Sequence, residues 1–287
     1  MRKTMALVVL LAASLVLSSA PRAADYPTRP IRIVVGYGAG GSTDLATRIV
    51  ASHMEKTLGQ PITVENRPGG NGAVGTGAVY NAEPDGYTLT MTSGSILTVL
   101  PWTAELGFDP LKLTFIGSVL ESMYAQFVKG DSPWKTIDDM VKYMKENPNK
   151  VVYANSGAFG LPDIGMAQLA KAVGGLQYRT MPTTGGAEQV LKLLSGDAQT
   201  EQNSATPTLS HIRTGAIRPL LIVSKAWPEL EKMGVPLSNS RYGFSVRNLS
   251  SLAGPPGLPE EIRKKLEDAL RGAVADKETF ARLENIG

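Results

Sequence analysis

The chain has 287 residues, 43% hydrophobic and 19% charged, enough apolar material to bury a core and to build two lobes of ordinary domain size. The formal charge of +3, from 29 basic and 26 acidic side chains, is expected to fall to near zero once an N-terminal leader is removed, which leaves no bulk electrostatic case for nucleic acid or anionic lipid. The absence of Cys excludes a disulfide framework, a thiol nucleophile, thiolate metal ligation and a lipid-modified leader cysteine.

Residues 1–24 read as a secretory signal peptide: Arg2 and Lys3 precede an apolar run over 5–17, and small residues follow as far as Ala23 and Ala24. The apolar run is about a dozen residues, short of the ~20 that span a bilayer, so a cleaved leader and a periplasmic chain without membrane insertion are expected. Cleavage would remove Arg2, Lys3 and Arg22, taking 29 basic residues to 26, level with the acidic ones. With no twin-arginine pair, export of an unfolded chain that carries no cofactor is expected.

Residues 31–35 predict a buried strand running into a glycine cluster, and 42–58 an amphipathic helix on the spacing of Leu45, Ile49 and Leu58. A second strand is predicted at 61–65, a turn at 66–71, a helix of small residues at 72–82 and a third strand at 87–92 that ends in Ser93-Gly94-Ser95. This alternation predicts a parallel α/β sheet. Residues 115–129 read as extended, 136–145 as a helix and 151–154 as a strand entering Asn155-Ser156-Gly157, followed by helices near 163–173 and 185–194. A strand over 218–223 and a helix over 260–275, with Pro259 at its first turn, complete the pattern. Two α/β lobes joined by two extended crossings account for it, the first formed by 25–125 and 226–287 and the second by 126–225.

Several strand ends release into Gly, Ser and Thr before a helix: Gly40, Gly41, Ser42 and Thr43, then Ser93 to Ser95, then Ser156 and Gly157. Another helix opens at Thr183-Thr184-Gly185-Gly186. Helix N-termini present unpaired N–H groups and a positive dipole end, and glycine lets a ligand approach them. One such loop is an ordinary cap, but two from each lobe point to a shared cleft that holds a small anion. Tyr37 and Phe159 lie inside these loops, where an aromatic ring could pack on the ligand's carbon skeleton. Gly36, Gly38 and Gly41 also satisfy G-x-G-x-x-G, with Glu65 ending the next strand, as a dinucleotide fold would require. Against that, Asp44 falls in the first turn of the helix, where it would cap N–H groups and repel a pyrophosphate. His53 reads as a helix surface residue and His211 as a helix end. Met123, Tyr124, Phe127 and Trp134 read as core and hinge packing. No zinc-protease, serine-hydrolase or acidic metal motif occurs.

With these residues in view, the chain resembles the substrate-binding proteins of the tripartite tricarboxylate transporter, the Bug or TctC family. The resemblance is carried by YPTRPIRIVV (26–35), GAGGSTDLATR (38–48) and above all VENRPGGNGAVGTGAV with PDGYTL (64–79 and 84–89). SGSI (93–96), YANSGAFG (153–160), TTGGAEQVLKLLSGDAQ (183–199) and HIRTGAIRPLLIVS (211–224) agree with it. It implies a type II periplasmic binding protein, a Venus flytrap acting as a monomer, that closes on a small organic acid and delivers it to membrane permease subunits. It also implies that loops of both lobes hold the carboxylate through backbone amides, hydroxyls and water. The matching positions are Gly40, Gly41, Ser42, Thr43, Asp44, Ser93, Ser95, Ser156, Gly157, Thr184, Gly185, Gly186 and Asn203. Three features depart from the family: Gly36-Tyr37-Gly38-Ala39 where it has prolines around a Phe, Met181-Pro182-Thr183-Thr184 where it has Pro-Tyr-Lys, and an end at Gly287, short of the usual one. An exported enzyme acting on a similar acid, or a sensor's ligand-binding partner, are the other readings.

Overall fold

The structure, a computed structural model, describes residues 26–157 and 159–286, so the predicted leader lies outside the described residues. In chain order the first lobe contributes β1 (Ile31–Val35), α1 (Ser42–Leu58), β2 (Ile62–Asn66), α2 (Ala73–Tyr80), β3 (Thr88–Ser93), the short helices α3 (Gly94–Thr98) and α4 (Leu100–Thr103), and β4 (Thr114–Ser122). The second begins with β5 (Tyr124–Lys129), α5 (Ile137–Glu146), β6 (Val152–Asn155), α6 (Leu161–Ala172) and β7 (Arg179–Pro182). It continues through α7 (Gly186–Ser195), β8 (Thr200–Ser204), α8 (Ala205–Arg213), β9 (Ile217–Ile222), α9 (Pro228–Lys232) and α10 (Ser238–Tyr242). The chain then returns to the first lobe with β10 (Asn248–Gly254), α11 (Glu260–Ala275) and α12 (Lys277–Ile286).

Local sequence accounts for these elements. Strand β1 is apolar at four of its five positions because helices cover both faces of a central parallel strand, and Ile31, Ile33, Val34 and Val35 are all buried. Helix α1 buries Ala46, Ile49, Val50 and Met54, a stripe turned one residue from the expected one, and stops at Gly59 in the left-handed conformation. Helix α5 starts at a capping box, with Thr136 and Asp139 each accepting the other's backbone N–H. In the first lobe α1, α11 and α12 share one core through Met54, Leu266, Leu270 and Leu283.

The sheets run in the orders β2-β1-β3-β10-β4 and β7-β6-β8-β5-β9. Neither is fully parallel, contrary to expectation: β10 pairs antiparallel with β3 and β4, and β5 antiparallel with β8 and β9. Both exceptions have one cause. Each is the strand by which the chain enters a lobe from the other, so it starts at the hinge and runs away from it. By contrast, β1, β3, β6 and β8 run toward the hinge side. Their carboxyl ends therefore meet across one cleft.

The expected return at residue 226 is too early. Trp227 packs edge-on against Phe127 of β5, with centroids 6.0 Å apart, and Leu230 joins the same cluster. Tyr242, Phe244 and Val246 pack on the opposite face of the second sheet. The second lobe therefore extends to about Val246, and Met123 and Arg247 mark the two crossings.

Candidate functional site

The lobes touch across the cleft. The Gly38 N–H in the first lobe donates to the Thr184 carbonyl in the second at 2.9 Å, which makes this a closed form. Between them lies a narrow space of about 450 Å³. Among the expected residues, Tyr37, Gly41, Ser42, Thr43, Ser93 and Ser95 line it from the first lobe, and Ser156, Gly186 and Asn203 from the second. Asn71, Tyr124, Leu161, Pro162, Gln189, Ser204 and Asn248 line it as well, and the sequence reading did not include them.

The first-lobe wall is a hydroxyl network. The Ser93 and Ser95 hydroxyls lie 2.7 Å apart, and the Tyr37 hydroxyl sits 2.9 Å from Ser93 Oγ and 3.0 Å from the Asn71 carbonyl. Asn71 Nδ2 donates to Ser95 Oγ at 3.3 Å. Burial raises the Tyr37 phenol, partly offset by hydrogen bonds with Ser93 and Ser95, so it stays neutral. Asn71 adopts φ 51°, a left-handed turn that Asn tolerates better than most side chains, and this carries its amide to the cleft. The Asn-Gly pair at 71 and 72 was the available signal.

Acids in the first turns of α1, α6 and α7 share one task. Asp44, 1% exposed, accepts from the Gly40 N–H at 2.9 Å, Arg48 Nε at 3.0 Å and Asn66 Nδ2 at 2.9 Å. Asp163 accepts from Asn155 Nδ2 at 2.8 Å and the Gly160 N–H at 3.3 Å. Glu188 accepts from the Thr184 N–H at 2.8 Å and its hydroxyl at 2.7 Å. Each carboxylate ties down the loop before its helix. Accordingly Gly40 and Asp44 build the loop and do not line the cavity, which leaves Asp44 as the cap alone. Gly157 and Thr184 stand at the mouth of the cleft, while Gly185 abuts Gly38. Phe159, at φ 62° and 48% exposed, lines neither the cavity nor its mouth.

The glycine spacing that suggests a dinucleotide has another explanation. A Cβ at Gly36 would lie 2.6 Å from the Gly72 Cα, so two loops of the first lobe pack backbone to backbone there.

Asn203 is fixed by its own bonds. Its Oδ1 accepts from the Ser204 N–H at 2.8 Å, while Nδ2 donates to the Gly186 carbonyl at 2.8 Å and to Glu201 Oε2 at 3.3 Å. Both amide hydrogens are thus engaged, and Asn203 shapes the wall and holds the start of α7. Behind it Glu201 is 0% exposed, and its Oε1 is without a hydrogen-bond partner. Burial pushes this acid up to about 8, against a smaller downward pull from Asn203. Nothing local in the run Thr200 to Ser204 distinguishes Glu201 from a solvated acid, yet all five residues are buried.

The hinge itself enters the cavity. Asn248 Nδ2, just past one crossing, donates at 3.1 Å to the hydroxyl of Tyr124, just past the other. Burial pushes the Tyr124 phenol up to about 12. His53 instead packs on α12 beside Thr279 and Asp276, and His211 lies in the last turn of α8, so neither is near the cleft.

Among the described residues that line the cavity none has an ionised side chain. Helices α1, α6, α7 and α8 begin at or beside it, and Ser42, Ser93, Ser95, Ser156 and Ser204 add hydroxyls. Four positive dipole ends, free N–H groups and neutral hydroxyls suit one small anion.

Comparison with known proteins agrees. A family model for the tripartite tricarboxylate transporter family receptor matches residues 46–287. A Cupriavidus necator protein, "UPF0065 protein in gbd 5'region", is 33% identical over 259 residues, covering 88% of this chain and 77% of the relative. Protein BugT of Bordetella pertussis is 29% identical over 281 residues, covering 92% and 83%. The solved periplasmic binding protein BugD matches with a TM-score of 0.85 at 29% identity, over 91% of this chain and 88% of that one.

Proposed function

Because the chain belongs to the tripartite tricarboxylate transporter receptor family, whose members are binding proteins and not enzymes, we propose that it captures the carboxylate of a small organic acid by lobe closure. The acid is then delivered to the membrane permease of such a transporter. The observation that carries the reading is a neutral cavity walled by N–H groups and hydroxyls from both lobes, where helix N-termini converge. The work is done by the hinge. An open form exchanges with the closed one, and an anion that touches both walls stabilises the closed form by contacts that exist only there. Both walls come from one chain, so a monomer suffices. Capture occurs in the periplasm, after removal of the leader over 1–24. Among the described residues no helix is long and apolar enough to cross a membrane.

Ser95 and Ser156 face the cavity from opposite lobes, which makes them the test. Native mass spectrometry of protein purified without refolding identifies the retained acid, and calorimetry measures its affinity for each variant. Ser95→Ala and Ser156→Ala are each expected to weaken binding by about 1.5–3 kcal/mol, roughly ten-fold to over a hundred-fold, as for hydrogen bonds to a charged group. The double variant should lose less than the sum, because either loss already shifts the protein toward the open form. If one serine is silent while the other abolishes binding, the acid sits in a single lobe and the two-sided clasp is wrong.

A further inference from the structure

We propose that the far end of the bound acid is neutral or cationic, so that this receptor prefers monocarboxylates and zwitterionic acids to dicarboxylates, and that Glu188 sets the preference. The inference rests on the carboxylate reading above. Asn71 and Ser156 line both the cavity and a second, more open space of about 710 Å³ that forms its mouth. A ligand whose carboxylate lies among the serines and helix N-termini therefore extends its other end past these two residues. Among the described residues lining that mouth Glu188 is the one charged side chain, and the rest are Gly, Pro, Ser, Thr and Asn.

Glu188 is held in place as an anion. The backbone N–H and the hydroxyl of Thr184 both donate to its Oε2, and these bonds keep its acid below the usual carboxylate range. The Thr184 carbonyl in turn accepts from the Gly38 N–H of the opposite lobe. The charge is therefore anchored at the contact that closes the cleft. Lys192, one turn further along α7, lends it some Coulombic support but offsets it only in part, because its ammonium bonds Asp197 at 3.1 Å. A second carboxylate on the ligand would meet this fixed like charge with no cation in either lining. An ammonium group would find a partner there.

Calorimetry with butanoate, succinate and 4-aminobutanoate, and with the corresponding five- and six-carbon sets, separates the end group from chain length. In at least one set the monoacid and the amino acid are expected to bind about ten-fold or more tighter than the diacid, with the gap shrinking in high salt. Glu188→Gln should tighten the diacid and weaken the amino acid, each measured relative to the monoacid on the same variant, so that any general effect on closure cancels. Its thermal midpoint is measured alongside, because Gln can still accept the Thr184 N–H and the fold should be unchanged. A diacid that binds tightest to the unaltered protein, or a ranking that Glu188→Gln does not alter, overturns the inference and leaves carboxylate capture standing. Failure of every acid to bind overturns the carboxylate reading itself.

Discussion

Replacing Gly157 by Ala is expected to weaken ligand binding by roughly ten- to a hundred-fold while both lobes stay folded. Gly157 has φ 105°, and a Cβ there would lie 3.0 Å from the Asn71 nitrogen and 3.3 Å from its Cα. Those are backbone atoms of the other lobe. They cannot swing aside, because the Asn71 carbonyl bonds the Tyr37 hydroxyl and its amide bonds Ser95. Two penalties follow, and they act on different equilibria. The unfavourable φ, of order 1–3 kcal/mol, is present in the open and closed forms alike and lowers fold stability. The clash exists only in the closed form, and at about 1–3 kcal/mol for a forced contact it is subtracted from the ligand's affinity. Gly174→Ala separates the two, since Gly174 has φ 82° with nothing near its missing Cβ. It should lose stability and keep its affinity within about two-fold. Calorimetry reads binding, and small-angle scattering reads closure. Equal loss of affinity in the two variants would refute closure as the origin of the effect.

Glu201→Gln is expected to change how stability depends on pH by several kcal/mol. Burial keeps this acid protonated in the folded protein up to about pH 8, whereas in the unfolded chain it ionises near the ordinary glutamate value of 4.5. As pH rises between those values the unfolded state releases the proton first, so stability falls with pH, by up to ~1.4 kcal/mol per pH unit, and levels off above about pH 8. The direction is opposite to that of a salt-bridged carboxylate. A neutral amide of the same shape can still accept from Asn203 and has no proton to lose. Relative to Glu201→Gln, the unaltered protein should therefore lose about 3 kcal/mol between pH 5 and pH 7.5 in denaturant titrations. Parallel stability curves for the two proteins across that range would show that Glu201 ionises normally, which its full burial and unpartnered Oε1 speak against. Because Asn203 touches both Glu201 and the start of α7, ionisation also places a negative charge behind the anion cavity. Affinity for an acid should fall above about pH 8 in the unaltered protein and stay flatter in the variant.

Local pattern and chain chemistry alone determined the alternating strands and helices from 31 to 93, the helix of 260–275, the neutral Gly-Ser-Thr loops and the family to which they belong. These are set by neighbours within a turn or a strand. The run 31–35 is apolar whatever follows it, and a glycine past Leu58 ends a helix without help from afar. Tertiary structure decided what depends on partners distant in sequence. Strand β10 is a strand because Ser250 to Ala253 pair with β3, more than 150 residues earlier, and its direction follows from entering the lobe at the hinge. Trp227 belongs to the second lobe because Phe127 offers it a buried face. Asp44 and Glu188 carry the same charge in the same turn of a helix, yet one is sealed against Arg48 and Asn66 and the other stands at the mouth of the cleft. Tyr124, Asn248 and Asn71 reach the cavity because the closed lobes bring both hinge crossings and one left-handed turn to a common point. Periodicity reports which face of an element is apolar. Only the packing of elements against one another decides which of its polar residues face a ligand, which hold a loop and which lie buried without a partner.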